Sequence, residues 1–157
     1  MVDPAQMMRQ LREQALRVTA ADLELIPTAA RPRVWGAIME LGYPTGIATL
    51  MSLAEGTTSL YFSNGGGVIG AGEQVAVREA AESFLNAVED HLSDFPAVET
   101  TPTPRIGRVR FYVRTFDGTL GLEATEEELG QNLHPLSPVF HAGHAVITAI
   151  RESSEAL

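Results

Sequence analysis

Between Arg33 and Ser63 three apolar segments of strand length follow one another with almost nothing between them, and this constrains the fold more than any other feature. "RVWGAIMELG" and "GIATLMSLAEG" are separated only by "GYPTG", Gly42 to Gly46, which has the proline and glycine of a tight turn. Strands joined so closely run antiparallel. "TTSLYFS", after Gly56, adds a third strand rich in β-branched and aromatic residues. Further along, in "IGRVRFYVRTF", Val109, Phe111 and Val113 alternate with Arg108, Arg110, Tyr112 and Arg114, the pattern of a half-buried antiparallel strand. Asp117-Gly118 then signals a hairpin into "TLGLEA".

The remaining segments carry helical spacing. Asp3 and Pro4 read as an N-cap with proline in the first turn, and Met7, Leu11 and Ala15, flanked by Met8, Leu16 and Val18, form an amphipathic first helix. Thr19 with Asp22 is a capping-box pattern that predicts a short second helix ending at Pro27. From Glu73 to Leu92 the positions Val77, Ala80, Ala81, Phe84, Leu85, Val88 and Leu92 share one face of a helix of about five turns. Ser93 to Pro104 holds three prolines and no periodicity, as a loop does. Thr125 with Glu128 caps a short acidic helix. Ser137-Pro138 starts a last helix whose core stripe is Val139, Phe140, Gly143, Val146, Ile147 and Ile150.

The expectation is an α+β fold: an antiparallel sheet of about five strands flanked by helices, in the order helix, three strands, long helix, two strands, helix. At 157 residues and 45% hydrophobic content the chain fills one core, so residues 1–157 read as a single globular domain. This order of elements resembles that of the roadblock and longin-type (profilin-like) domains, in which helices sandwich an antiparallel five-stranded sheet. The resemblance covers most of the chain as an order of elements, carries no diagnostic motif, and has a third strand before the long helix where roadblock domains have two. It implies a scaffold or regulatory role, with partner binding and dimerisation.

Composition narrows the chemistry. The net charge is -9, and all eleven basic residues are arginine, so a nucleic-acid partner is not expected and neither a Walker-type nor a Schiff-base lysine is available. Such lysine-free, arginine-rich usage reads as the coding bias of a GC-rich bacterial genome. With no cysteine there are no disulfides, thiol nucleophiles or thiolate metal sites. No apolar run approaches the roughly 20 residues of a membrane helix, and "MVDPAQMMRQLREQALRV" lacks the basic start and apolar core of a secretory signal, so the expected place is the cytoplasm and no membrane partner is expected.

Three groups of residues are candidates for a site. Gly65, Gly66, Gly67 and Gly70 fit G-x-G-x-x-G between a strand and a helix, yet the helix leads into a proline-rich loop instead of a second parallel strand, and Glu73 stands where a phosphate would sit. Asn64-Gly65 favours a type I′ turn, so the glycines are expected to turn the chain, with anion cradling as the alternative. Arg108, Arg110, Tyr112 and Arg114 form a basic strand face able to hold a carboxylate or phosphate, unless Glu40, Glu55 or Glu123 pairs with them. His134, His141 and His144 are the one ligand-like cluster for a metal, with Glu126 or Glu127 to complete it; H-A-G-H is not a metalloprotease signature, and no metal or other cofactor is expected. No G-x-S-x-G elbow is present, and the paired carboxylates of "EATEEEL", Glu123 to Leu129, suit a helix N-terminus and solvent, so a non-enzymatic interaction or regulatory module is the expected function. The preferred partner is a second copy of the chain, with another protein possible in addition. The alternative is a small anionic-ligand binder or enzyme using Gly65 to Gly72 with Arg108, Arg110 and Arg114.

Overall fold

The three apolar segments form the expected meander in the computed structural model, which describes residues 3–155. Strands β1 (Val34–Tyr43), β2 (Gly46–Leu53) and β3 (Thr58–Phe62) pair antiparallel in sequence order, with Ile38 opposite Met51 and Leu50 opposite Leu60. A two-residue strand β4 (Gly67–Val68) extends the meander. After helix α2 (Val75–Asp90) the chain crosses to the free side of β1 and adds β5 (Arg108–Thr115) and β6 (Gly118–Thr125). The result is an α+β fold with one antiparallel sheet of six strands in the order β4-β3-β2-β1-β5-β6, the short β4 accounting for the difference from the expected five.

β1 sits inside this sheet and is buried at every position except Tyr43, because helices cover both faces. On one face lie α2 and the last helix, α4 (Ser137–Glu155), preceded by the short α3 (Glu126–Gly130). The expected stripe of α2 is buried at Val77, Ala81, Phe84, Leu85 and Val88 against Met39, Leu41, Val109 and Phe111 of the strands. Each large side chain so buried contributes about 1.5–3 kcal/mol, which makes this layer the main source of stability. α4 comes very close to the sheet at Gly143, where an added Cβ would lie 2.7 Å from the Met39 thioether. Thr125 caps α3 as its spacing predicts, accepting from the Glu128 N–H at 3.2 Å.

The opposite face is covered by α1 (Pro4–Arg17) and residues 18–25, packed on Trp35, Ile38, Met51 and Tyr112. Here two expectations change. α1 buries Met8 and Ala15, while Met7 is 46% exposed, so its inner stripe is turned from the one read in the sequence. Thr19 and Asp22 do form the reciprocal capping bonds, both 3.0 Å, but no helix follows. The Leu25 N–H reaches back to the Ala20 carbonyl and Glu24 takes a left-handed φ of 55°, which closes a turn before Pro27 can be reached helically. β5 is accordingly not half-buried: Tyr112 and Arg114 on its second face are covered too.

Both sheet edges are blunted. β4 has two residues, and β6 is met by the proline-rich loop, where the Gly121 N–H bonds to Pro96 O at 2.9 Å and the Val98 N–H to Thr119 O at 3.1 Å. Among the described residues no helix is long and apolar enough to cross a membrane.

Candidate functional site

The glycine segment forms the β3–β4 hairpin and its exit. Leu60 pairs with Val68 and Tyr61 with Gly67, while the Phe62 N–H bonds to Gly66 O at 3.1 Å and the Gly65 N–H to Phe62 O at 2.9 Å. Gly65, Gly66, Gly67 and Gly70 all have positive φ, whereas Asn64 does not, so the turn is not the type I′ pair that Asn64-Gly65 suggested. Three successive glycines let the chain turn in a wider loop without Asn64 entering the left-handed region. Glu73 lies exposed in the short turn before α2.

The arginine strand face is engaged by its own chain. Arg114 donates to Ala15 O at 3.0 Å and Val18 O at 2.8 Å, the end of α1, and its guanidinium stands 4.6 Å over the Trp35 ring. Arg110 lies in register between Glu40 on β1 and Glu123 on β6 and pairs with Glu123 at 3.1 Å. The Tyr112 hydroxyl donates to Pro102 O. Arg108 stands half-buried opposite Thr125, and Glu55 accepts from the Thr57 N–H in the β2–β3 turn, away from the arginines. Glu40 is wholly buried and is held by an arginine the sequence did not single out. Arg12 of α1 forks onto its two carboxylate oxygens at 2.7 and 2.8 Å, and the Thr49 hydroxyl donates to it at 2.6 Å. An acid inside the apolar run "IMELG" was the signal that such a partner exists.

The histidines do not gather. His134 Nδ1 accepts from the Leu136 N–H at 3.0 Å, His141 Nε2 meets Asn132 Oδ1 at 2.8 Å, and His144 packs its ring edge-on to Phe140 at 4.5 Å. Among the described residues no three histidine or acidic side chains could hold one metal ion; Glu126 and Glu127 lie in the first turn of α3. Purified protein is therefore expected to carry no stoichiometric zinc by elemental analysis, and a chelator is expected to leave its Tm unchanged. One equivalent of zinc, lost in the His141→Ala/His144→Ala variant, would contradict this.

What the structure does bring together is a cavity of about 400 Å³ under the C-terminal half of α4. Its floor is Leu41, Ala48 and Leu60 from three adjacent strands. Ile147 and Ile150 form the helical wall, and Phe62 and Val68 close the side toward β4. Tyr43 belongs both to this cavity and to a neighbouring recess of about 660 Å³ formed with Pro44, Ser63, Pro104 and Ile106 at the loop end of the sheet. Tyr43 and Phe62 are each 38% exposed and Ile106 is 67% exposed, so an apolar rim runs across both openings. Besides the Tyr43 phenol, two polar side chains line the cavity, His144 and Arg151, seven residues apart on one side of α4. His144 Nε2 is shut off from solvent, and so from the cavity itself, and has no hydrogen-bond partner among the described residues. Burial, with His141 and Arg151 nearby, holds its pKa below the ordinary histidine value.

Of the three candidate groups, only Val68 from the glycine segment and His144 reach this cavity, and the arginines of β5 do not. The cavity was not legible beforehand, since it depends on where α4 crosses the meander; the one local hint was that Tyr43 and Phe62 are aromatic residues at strand ends. Compared with known proteins, the chain matches no family model, no curated protein and no solved structure.

Proposed function

We propose that this chain is a non-enzymatic, cytoplasmic protein-interaction or regulatory module that acts as a homodimer, its self-contact made by the apolar rim around Tyr43, Phe62 and Ile106. The observation that carries the reading is the exposure of these three large apolar side chains around the two adjoining openings at the loop end of the sheet. With β4 short and β6 met by Ala97, continuation of the sheet from one copy to the next is the weaker route, and a face-to-face contact about a two-fold axis is the better one. The charge of -9 opposes association, but at physiological salt it is screened beyond about 8 Å, so a dry apolar contact prevails. A second protein binding the same rim would use the same surface.

Sedimentation equilibrium at micromolar concentration is expected to give twice the chain mass. Ile106→Glu, in a loop, and Phe62→Glu, at the end of β3, are each expected to release folded monomers with unchanged circular dichroism. A wild-type protein that stays monomeric at high concentration would overturn the homodimer. The alternative, an anionic ligand held by Gly65 to Gly72 together with Arg108, Arg110 and Arg114, has less support, because Arg110 and Arg114 already bind partners within the chain.

A further inference from the structure

We infer that the cavity between α1 and strands β2 and β3 is a binding site for a phosphate group, taken up as inorganic phosphate or as the phosphoryl end of a small molecule. It goes beyond self-association, and none of Tyr43, Phe62 and Ile106 lines this cavity. Met8 of α1 and Thr49 of β2 place it on the sheet face that α1 covers, and its volume is about 230 Å³. At roughly 30 Å³ per water-sized atom there is room for about seven, enough for a phosphate ion.

In a protein of net charge -9, this lining is positive and free of acid. Arg9 and Arg12, three residues apart and so on one side of α1, both line the cavity, and no carboxylate does. The acid close by, Glu40, is already occupied: Arg12 Nε and Nη2 and the Thr49 hydroxyl donate to its two oxygens. That pair cancels in charge and leaves Arg9, exposed and without an ion pair among the described residues, as the uncompensated cation. Arg12 still has Nη1 to give, since its bonds to Glu40 and Thr101 O use only Nε and Nη2, and its side chain is 17% exposed, within reach of solvent. Two hydroxyls add donors. Ser63 Oγ accepts from the Ile47 N–H at 2.7 Å and keeps its own proton to donate, while Thr103 stands exposed at the loop side of the cavity. Donors from a helix, a strand end and a loop surround a tetrahedral oxyanion better than a flat carboxylate, and a cation is repelled by Arg9.

Inorganic phosphate, titrated at neutral pH and constant ionic strength and followed by ¹H–¹⁵N NMR, is expected to saturate with shifts at Arg9, Arg12, Ser63 and Thr103. Acetate and chloride are expected to bind about ten-fold more weakly or not at all. Arg9→Gln is expected to weaken phosphate about ten-fold, and Thr103→Val by a smaller factor. Arg17→Gln removes the same charge from the same helix, at a side chain 78% exposed that does not line the cavity, and is expected to leave phosphate binding unchanged. All three positions are exposed, so the variants are expected to keep the wild-type circular dichroism. Failure of phosphate to saturate, equal affinity for acetate, or equal losses in Arg9→Gln and Arg17→Gln would overturn the proposal, the last because net charge alone would then account for the attraction. Sedimentation of the same samples reads the homodimer separately, so a monomer that binds phosphate defeats only the homodimer, and a dimer that does not bind defeats only this site.

Discussion

Replacing Arg12 with methionine is expected to destabilise the protein by about 3–5 kcal/mol, measured by urea unfolding. Arg12 is the partner of a carboxylate with no exposure at all, and the bidentate pair with Glu40 fastens the middle of α1 to the sheet, as Arg114 fastens its end. Apart from Met8 and Ala15 that helix buries little, so apolar burial alone does not hold it. Removing the guanidinium leaves the Glu40 charge inside the protein with only the Thr49 hydroxyl to meet it, and also frees Thr101 O, to which Arg12 donates at 2.8 Å. Arg12→Met combined with Glu40→Met is expected to be much less costly than Arg12→Met alone, because the penalty lies in the stranded charge more than in the lost attraction. If the single variant cost under about 1 kcal/mol, as a surface ion pair does, α1 would not be docked as described.

Gly72→Ala is expected to cost about 3 kcal/mol, near the upper end of what overpacking does, whereas Gly66→Ala is expected to cost about 1 kcal/mol. The two glycines serve different ends. A Cβ on Gly72 would lie 1.9 Å from Gly56 O, a backbone atom in the β2–β3 turn that cannot swing aside, so the entry to α2 must part from the sheet. Gly66 has open space around the missing Cβ, and only its φ of 89° disfavours a side chain. Differential scanning calorimetry of both variants separates close packing from backbone conformation. Equal and small losses would mean that neither constraint operates.

The elements that sequence made legible are those whose signals are local. The change from helical spacing to apolar runs of strand length at Arg33, the turn at Gly42 to Gly46 and the Thr125 cap each depend on neighbours in the chain, and each reappears in the fold; the hairpin signalled by Asp117-Gly118 also forms, though with Phe116 and Asp117 at its turn and Gly118 paired with Thr115. Thr19 shows the limit of local reasoning: its capping bonds form, yet the helix they announce is cut short by the Leu25 to Ala20 bond and the left-handed Glu24. The arginine face is a strand face as read, and of the three acids considered for it Glu40 and Glu123 lie beside Arg110 while Glu55 does not, but that α1 would lie over Arg114 depends on a contact between residues far apart in sequence. The cavity under α4 was out of reach for the same reason. Its walls come from four strands and one helix, and no spacing within any of them encodes the gap.

The placing of β1 between β2 and β5 has a consequence for how the chain is made. β2 follows β1 directly, so one side of β1 is paired as soon as the meander closes. The other side waits for Arg108 to Thr115, which the chain reaches only after α2 and the proline-rich loop. Until then a growing polypeptide carries an unsatisfied row of amides along Val34 to Leu41, among the most apolar stretches it has, open to any strand that passes. Closing that gap is the pairing of greatest sequence separation in the sheet, and nascent chains released before Arg108 keep the open edge that the finished protein hides in its interior.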